Sequence, residues 1–547
     1  MSVAPVLLAQ ADAAGAAAVT LARLILVVPE MVLLTGAVVA TILGLSRSRA
    51  LRDATPAAVV ISLLAAMLLV PLVHTPERAE AAGLLMPMLG KPVRMAICAI
   101  GAMLCLVSIG LVDRRIEAAF ASGRAAFDPI RVIRGEYYAF FLLSVTGLML
   151  VSTANDLIWL FLALELTSLP TYIMVAISRP SRRALEAAVK YFFLGALATA
   201  TFLYGFAMLY GAAGTLILTE MRDVFAAQAA AGGLGILAVL GLILAILGVA
   251  YKIAAAPMHF YAADVYEGAA SPVTAFLAFV PKAAGMLALM LLLGTVGWHG
   301  HSVVDDSGAR IFHDGLPRAV LYALWIIAAM TMTLGNVGAL LQSSAKRMLA
   351  YSSIAHSGYM IIGLIAGPGL GLNSVLFYLL AYGVMNTAAF AILAGLERQG
   401  EEIESLADLA GLARRHPLLA AAMAISAGSL IGLPPLLGFW GKLYLFIGGI
   451  QAGQIGLVII ACINSAISAW YYLRLVGLPL LSPPTPQAEA VVPTPSIWPR
   501  VAALSGAAAI LLLPLLVQPL VEAAQGATSA TPADFAVVLR GAGAPAP

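Results

Sequence analysis

Four lysines and one deep glutamate stand inside runs of apolar residues long enough to cross a membrane: Lys190, Lys252, Lys282, Lys442 and Glu165. A charge at the bilayer centre costs roughly 2.5–3.5 kcal/mol on insertion scales, so so many buried lysines are not accidental. The chemistry open to them is proton exchange. An amine and a carboxylate placed together each stabilise the other's charge; parted, the lysine gives up its proton. Lys282 lies ten residues into its run, roughly 15 Å at the rise of a helix, so it is expected near the midplane. Lys190 is six residues from the start of its run and can snorkel to the interface. Lys252 and Lys442 adjoin proline-containing breaks, where water is expected to reach them. Glu165 sits deep in Leu162–Thr167, whereas Glu30, next to Pro29, is expected near the far interface. His259 and His356 are candidate relay groups because imidazole titrates near neutrality; hydrogen-bonded packing is the competing role. His299, His301 and His313 fall in a polar stretch and read as solvated.

The elements that must hold these groups follow from composition. Of 547 residues, 62% are hydrophobic and 10% charged, with a mean hydropathy of +0.99. Soluble domains carry about 25% charged residues, so this is an integral membrane chain. Runs of about 20 apolar residues place fourteen transmembrane helices near 21–45, 57–75, 93–112, 135–152, 155–178, 184–211, 234–266, 272–297, 318–342, 347–366, 372–396, 417–450, 453–478 and 500–522. The fold class is all-α. The polar stretches Asp113–Arg134 and Glu397–His416 read as loops, and Cys98, Cys105 and Cys462 as small packing residues. Met1–Ala18 lacks a basic start, so a cleaved signal peptide is not expected.

The seventh and twelfth helices are interrupted, one at Pro257 and the other at Pro434 and Pro435. Proline removes a helical hydrogen bond, and in lipid such a break survives only where the freed carbonyls face protein or water. Plain kinks are the simpler account. Two breaks in comparable places point instead to a transport site built on two repeats. Helices 4–8 and 9–13 then form two five-helix repeats, inverted because their helix number is odd. The chain divides into residues 1–134, 135–297, 318–478 and 479–547. Eighteen of the thirty basic residues fall in the odd-numbered connections, including Lys346 and Arg347, against eight on the other side, among them Arg23, Arg94, Arg310 and Arg540. By the positive-inside rule both termini face away from the cytoplasm.

No Walker A sequence, no GxGxxG after a strand and no CxxC occurs. The chain is expected to bind no nucleotide, flavin, iron–sulfur cluster or metal, so any redox chemistry belongs to partners.

From Glu136 to Leu478 the chain resembles the N-subunit family of respiratory NADH:quinone oxidoreductase, complex I. The residues that carry the likeness are Glu186–Ala196, Asp264–Ala269, Lys346–Ser353 and Gly438–Lys442. The resemblance implies an antiporter-like subunit of the membrane arm, with no cofactor of its own and with flavin, iron–sulfur clusters and the quinone site in partner subunits. It matches Glu165 and Lys252 to the family's glutamate–lysine pair, Lys282 to its central lysine, Lys442 to the lysine of the output half, and Lys190 to a further lysine. The M-type relative carries glutamate where this chain has Lys442, and the L type has a long lateral helix for which no segment after Val521 suffices. Pro479–Trp498 and Ala523–Pro547 match nothing. The implied partners are the other membrane-arm subunits, the lipid bilayer, protons and the quinone pool, with no nucleic acid, in a bacterial cytoplasmic (inner) membrane. A subunit of a multisubunit sodium/proton antiporter or of a membrane hydrogenase is the alternative, and a scaffold whose lysines only bridge helices is a third reading. The relay requires Glu165 and Lys252 within an ion pair or one water.

Overall fold

The computed structural model describes residues 18–110, 114–128, 132–304, 310–314 and 316–528. The start of the chain, Arg131, the end of the tail with Arg540, and the side chains of Arg114, Arg115, Arg310 and the three histidines of the polar stretch lie outside the described residues.

The N-terminal part holds α1 (Ala18–Leu26), α2 (Val28–Gly44), α3 (Arg49–Val73), α4 (Pro76–Ala81), α5 (Gly90–Ser108) and α6 (Arg114–Ala121). The first broken-helix region comprises α7 (Arg134–Val151), α8 (Leu157–Ile177), α9 (Arg182–Ala213), α10 (Leu218–Ala230), α11 (Ile236–Lys252), α12 (Tyr261–Gly268) and α13 (Ser271–Val296). A hairpin, β1 (His299–Val304) and β2 (Arg310–Asp314), leads to α14 (Arg318–Leu340), α15 (Ala345–Ala366) and α16 (Leu370–Ala394). Then follow β3 (Leu396–Arg398), β4 (Glu401–Glu402), α17 (Leu412–Arg415), α18 (Pro417–Ile431), α19 (Leu437–Gln451) and α20 (Ile455–Leu480). The chain closes with α21 (Pro486–Glu489), β5 (Val491–Pro493), α22 (Trp498–Leu512) and α23 (Val517–Thr528).

Among the described residues ten helices are long and apolar enough to cross a membrane, and the bent pair α1–α2 makes up to eleven. The two interrupted segments are the helix pairs α11–α12 and α18–α19, none long enough alone. The polar stretches are not simple loops. One carries α6, pinned by Arg52, whose guanidinium grips Glu117 at 2.6 and 2.8 Å. The other holds β3 and β4, and β5 from the unmatched stretch after α20 completes a three-stranded antiparallel sheet. These short backbones lie outside the apolar runs, so periodicity gave no cue to them.

The layering follows from which helices are apolar all round. α13, α15 and α16 are almost wholly buried and form the centre, whereas α3 and α9 leave much of their surface to lipid or neighbours. α9 and α11 pack backbone to backbone through small residues, as membrane helices do: a methyl on Gly205 would come within 2.5 Å of the Ala245 nitrogen. The packing brings the end of α11 against α8, and so sets Lys252 beside Glu165.

Several sequence expectations need correction. Glu30 is fully buried and paired at 2.8 Å with Arg94, itself fully buried in α5 rather than in a connection. Arg94 also binds His74 Nδ1 at 2.8 Å. Lys346 and Arg347 belong to the first turn of α15, and Lys346 is fully buried. Cys462 is exposed, while Cys98 and Cys105 are buried.

Candidate functional site

The first part of the site is the pair at the end of α11. Lys252 Nζ donates to Glu165 Oε1 at 3.1 Å and to Ser168 Oγ at 2.7 Å, and Thr199 Oγ1 donates to the same carboxylate oxygen at 2.8 Å. Glu165 and Ser168 stand one turn apart on α8, so one helix face supplies both partners. The Lys252 side chain is 3% exposed and that of Glu165 15%. Lys252 is thus enclosed by protein at the break rather than open to water there.

Past Lys252 the helix stops. Ala254 takes a left-handed φ of 53°, unusual for a residue with a Cβ, and turns the chain so that the Ile253 carbonyl leaves the helix. That carbonyl is not wasted. It accepts from Lys282 Nζ at 3.2 Å and from Ser357 Oγ at 2.7 Å. Lys282, 1% exposed in α13, also donates to Ser353 O at 2.6 Å and Ser357 Oγ at 3.0 Å. All three ammonium protons therefore have acceptors, and all the acceptors are neutral dipoles.

The second break repeats the device. Lys442 Nζ donates to the Ile431 carbonyl, freed at the end of α18, at 2.7 Å and to Ser465 Oγ at 3.0 Å, with the Tyr359 ring at 5.0 Å. Pro257 and Pro434–Pro435 lie in the two gaps. Lys442 is 5% exposed, so it too is closed off from bulk water. Gly438 lets α19 start against α18: a methyl there would overlap the Ser429 carbonyl. Gly438→Ala is therefore expected to destabilise the assembled protein by about 1–3 kcal/mol, the usual range for overpacking, read as a lower thermal midpoint in detergent, with Gly477→Ala, where a methyl meets nothing, as the reference for handling.

His356 stands between the two lysine sites on α15. Its Nδ1 meets the Tyr378 hydroxyl at 2.6 Å and its Nε2 the Tyr472 hydroxyl at 2.8 Å, and Tyr472 also contacts Ser352. An imidazole with both nitrogens engaged can pass a proton from one side to the other. His259 is different: it is half-buried beside the first break, with Nδ1 unpartnered, and no contact joins it to the lysines. Lys190 is 43% exposed and pairs with Glu186 at 2.8 Å and Asp264 at 3.0 Å, a string that continues through Arg347 to Glu267. It joins α9 to α12 rather than entering the buried row.

Sequence reading missed Lys346, counted as a loop cation, and the amide cluster in which Asn336 binds Tyr359, Asn464 and Tyr471. A single asparagine in an apolar run was the available signal. Among the described residues no group of three or more His, Cys, Asp or Glu is gathered for a metal.

Broken helices whose freed carbonyls hold lysines, with a glutamate–lysine pair beside one of them, define an antiporter-type membrane protein. The family model described as NADH:quinone oxidoreductase/Mrp antiporter, TM, matches residues 154–304 and 310–468. Subunit N of an NADH-quinone oxidoreductase from Trichlorobacter lovleyi is 43% identical over 342 residues, 62% of this chain and 66% of that protein. The subunit N of Paramagnetospirillum magneticum is 37% identical over 426 residues, 76% of this chain and 82% of its own. A chain of respiratory complex I from Thermus thermophilus, solved with bound aureothin, superposes with a TM-score of 0.70 at 31% identity, over 91% of this chain and 99% of the other. The chain belongs to the subunit N family of NADH-quinone oxidoreductases.

Proposed function

We propose that this chain is the proton-translocating membrane subunit of an NADH:quinone oxidoreductase of complex I type, in a bacterial cytoplasmic membrane. It spans the bilayer with fourteen helices, the helix pairs α11–α12 and α18–α19 each counting as one broken span. Helices 4–8 and 9–13 are inverted repeats, and both termini face away from the cytoplasm. The subunit enters the enzyme as a translocase without a redox centre of its own; flavin, iron–sulfur clusters and quinone are handled by partner subunits. Glu165, Lys252, Lys282 and Lys442 carry the proton, with His356 linking the last two. Lys190 acts beside the row by holding α9 to α12, and His259 stands at the first break.

The observation that carries this reading is the seat of Lys282, an ammonium enclosed in the centre of the protein with neutral acceptors only. A cation bound to carbonyls and a hydroxyl has no fixed counter-charge to keep its proton, so it can discharge and reload. The test is NADH-driven proton uptake by inverted membrane vesicles, with and without this chain. Loss of the chain is expected to lower protons moved per NADH oxidised. Unchanged uptake, or a sodium-dependent proton flux that needs no NADH, overturns the reading and favours a sodium/proton antiporter.

A further inference from the structure

We infer that Lys346 and Glu402 form the gate of a water path that brings protons from the inner face to Lys282 along the facing sides of α15 and α16. The inference rests on the translocation reading above and adds to it a route and a gate.

Lys346 is fully buried, donates to the Ala269 carbonyl at 3.0 Å and lies 3.6 Å from the Glu402 carboxylate. Glu402 reaches in from the short strand β4. Its oxygens accept from Ser271 N at 3.0 Å and Ser271 Oγ at 2.9 Å, and from Arg179. One carboxylate thus ties together the α8–α9 connection and the first turns of α13 and α15. Burial pushes the Glu402 carboxyl up, but Arg179, Lys346 and Ser271 together outweigh it and hold it below the usual carboxylate range. It therefore stays ionised, and the tie opens by movement rather than by neutralisation.

Outside the tie lies a cavity of about 860 Å³ whose wall includes Arg179, Glu267, Glu402 and Glu404. Glu402 faces this cavity and Lys346 stands behind it. Inside the tie, four buried polar atoms make no hydrogen bond of good geometry: Ser353 Oγ, Tyr382 Oη, Asn386 Nδ2 and Thr387 Oγ1, with the Ser353 hydroxyl beside those of Tyr382 and Tyr266. Ser353 is seven residues beyond Lys346 on the same face of α15, roughly 10 Å along the axis, and its carbonyl is the closest acceptor of Lys282. The Tyr382 ring is 5.1 Å from that of His356. Asn386 follows one turn later on α16, which runs back towards the tie. An unpaired buried polar atom is costly, and a protein keeps such a row when water pairs with it. The atoms begin roughly 10 Å inside the tie and run to the acceptors of Lys282, which is the inner part of the course an entering proton must take.

The experiment uses the assembled complex in inverted vesicles. The triple variant Ser353→Ala, Tyr382→Phe, Asn386→Leu removes polar groups that make no well-formed hydrogen bond to the rest of the protein, so a purely structural row predicts little change in thermal stability and full pumping. The gate predicts little change in stability with NADH-driven proton uptake reduced severalfold. Separately, Asn386→Cys, in a chain whose exposed Cys462 is replaced by Ser, is expected to react with a small hydrophilic thiol reagent from the inner face. Adding Glu402→Ala is expected to speed that reaction severalfold. No reaction in either background, or full pumping by the triple variant, overturns the inference. Labelling does not depend on pumping: if Asn386→Cys labels while Lys282→Met pumps normally, the path stands and the translocation reading falls.

Discussion

Lys282→Met is expected to assemble normally and to stop proton transfer through this subunit. The side chain occupies the centre of the molecule, and its loss removes the group on which the proton would rest. A positioned proton-transfer group contributes about 10²–10⁴-fold to rate, so the subunit's share of pumping should fall below detection. The fold has little reason to suffer. Ser357 still donates to the Ile253 carbonyl at 2.7 Å without the lysine, and apolar replacement of a buried charge is often neutral or stabilising. Lys282→Arg discriminates further. Arginine keeps the charge but with a pKa above about 12 does not release its proton, so pumping is lost again, whereas a structural cation would be rescued. The measurement is proton uptake by vesicles, with the amount of assembled complex determined in parallel. Full pumping by assembled Lys282→Met sinks the relay.

Glu165→Ala should do two things that can be separated. It strands the Lys252 ammonium, 3% exposed, with Ser168 as its remaining side-chain acceptor. Breaking one side of a buried pair costs about 3 kcal/mol or more, visible as a lower thermal midpoint. It also removes the partner that lets Lys252 hold and then release a proton, so pumping falls. The double variant Glu165→Ala, Lys252→Met is expected to recover most of the stability and none of the pumping. Recovery of both would mean that the pair is a bridge between α8 and α11 and nothing more.

Much of this was legible in the sequence because membrane helices announce themselves by length and apolarity. Of the charges placed in them by sequence, Lys252 lies against Glu165, Lys282 in the centre and Lys442 at the second break, whereas Lys190 is part-exposed and paired with Glu186 and Asp264. What pattern did not carry was depth at the ends of helices. Lys346 and Arg94 were counted in connections and Glu30 near an interface, yet all three are buried because a partner from a distant segment meets them. The small sheet was hidden for a related reason: its strands are two or three residues long and pair across some ninety residues of chain, between β3 and β5. The orphan atoms of Ser353 and Tyr382 were likewise invisible, since a serine or tyrosine in an apolar run gives no sign of which neighbour it lacks.

The carbonyls of Ile253 and Ile431, turned out of their helices, bear on speed. Lys282 can lose its proton with its nitrogen and all three acceptor oxygens left in place. The Ser357 hydroxyl, now donating to Ile253, has only to rotate and donate to the neutral amine instead. Apart from the departing proton, which a neighbouring water must take up, such a switch moves one hydrogen and no heavy atom of the protein, so the reorganisation barrier is that of a hydroxyl rotor rather than of a helix.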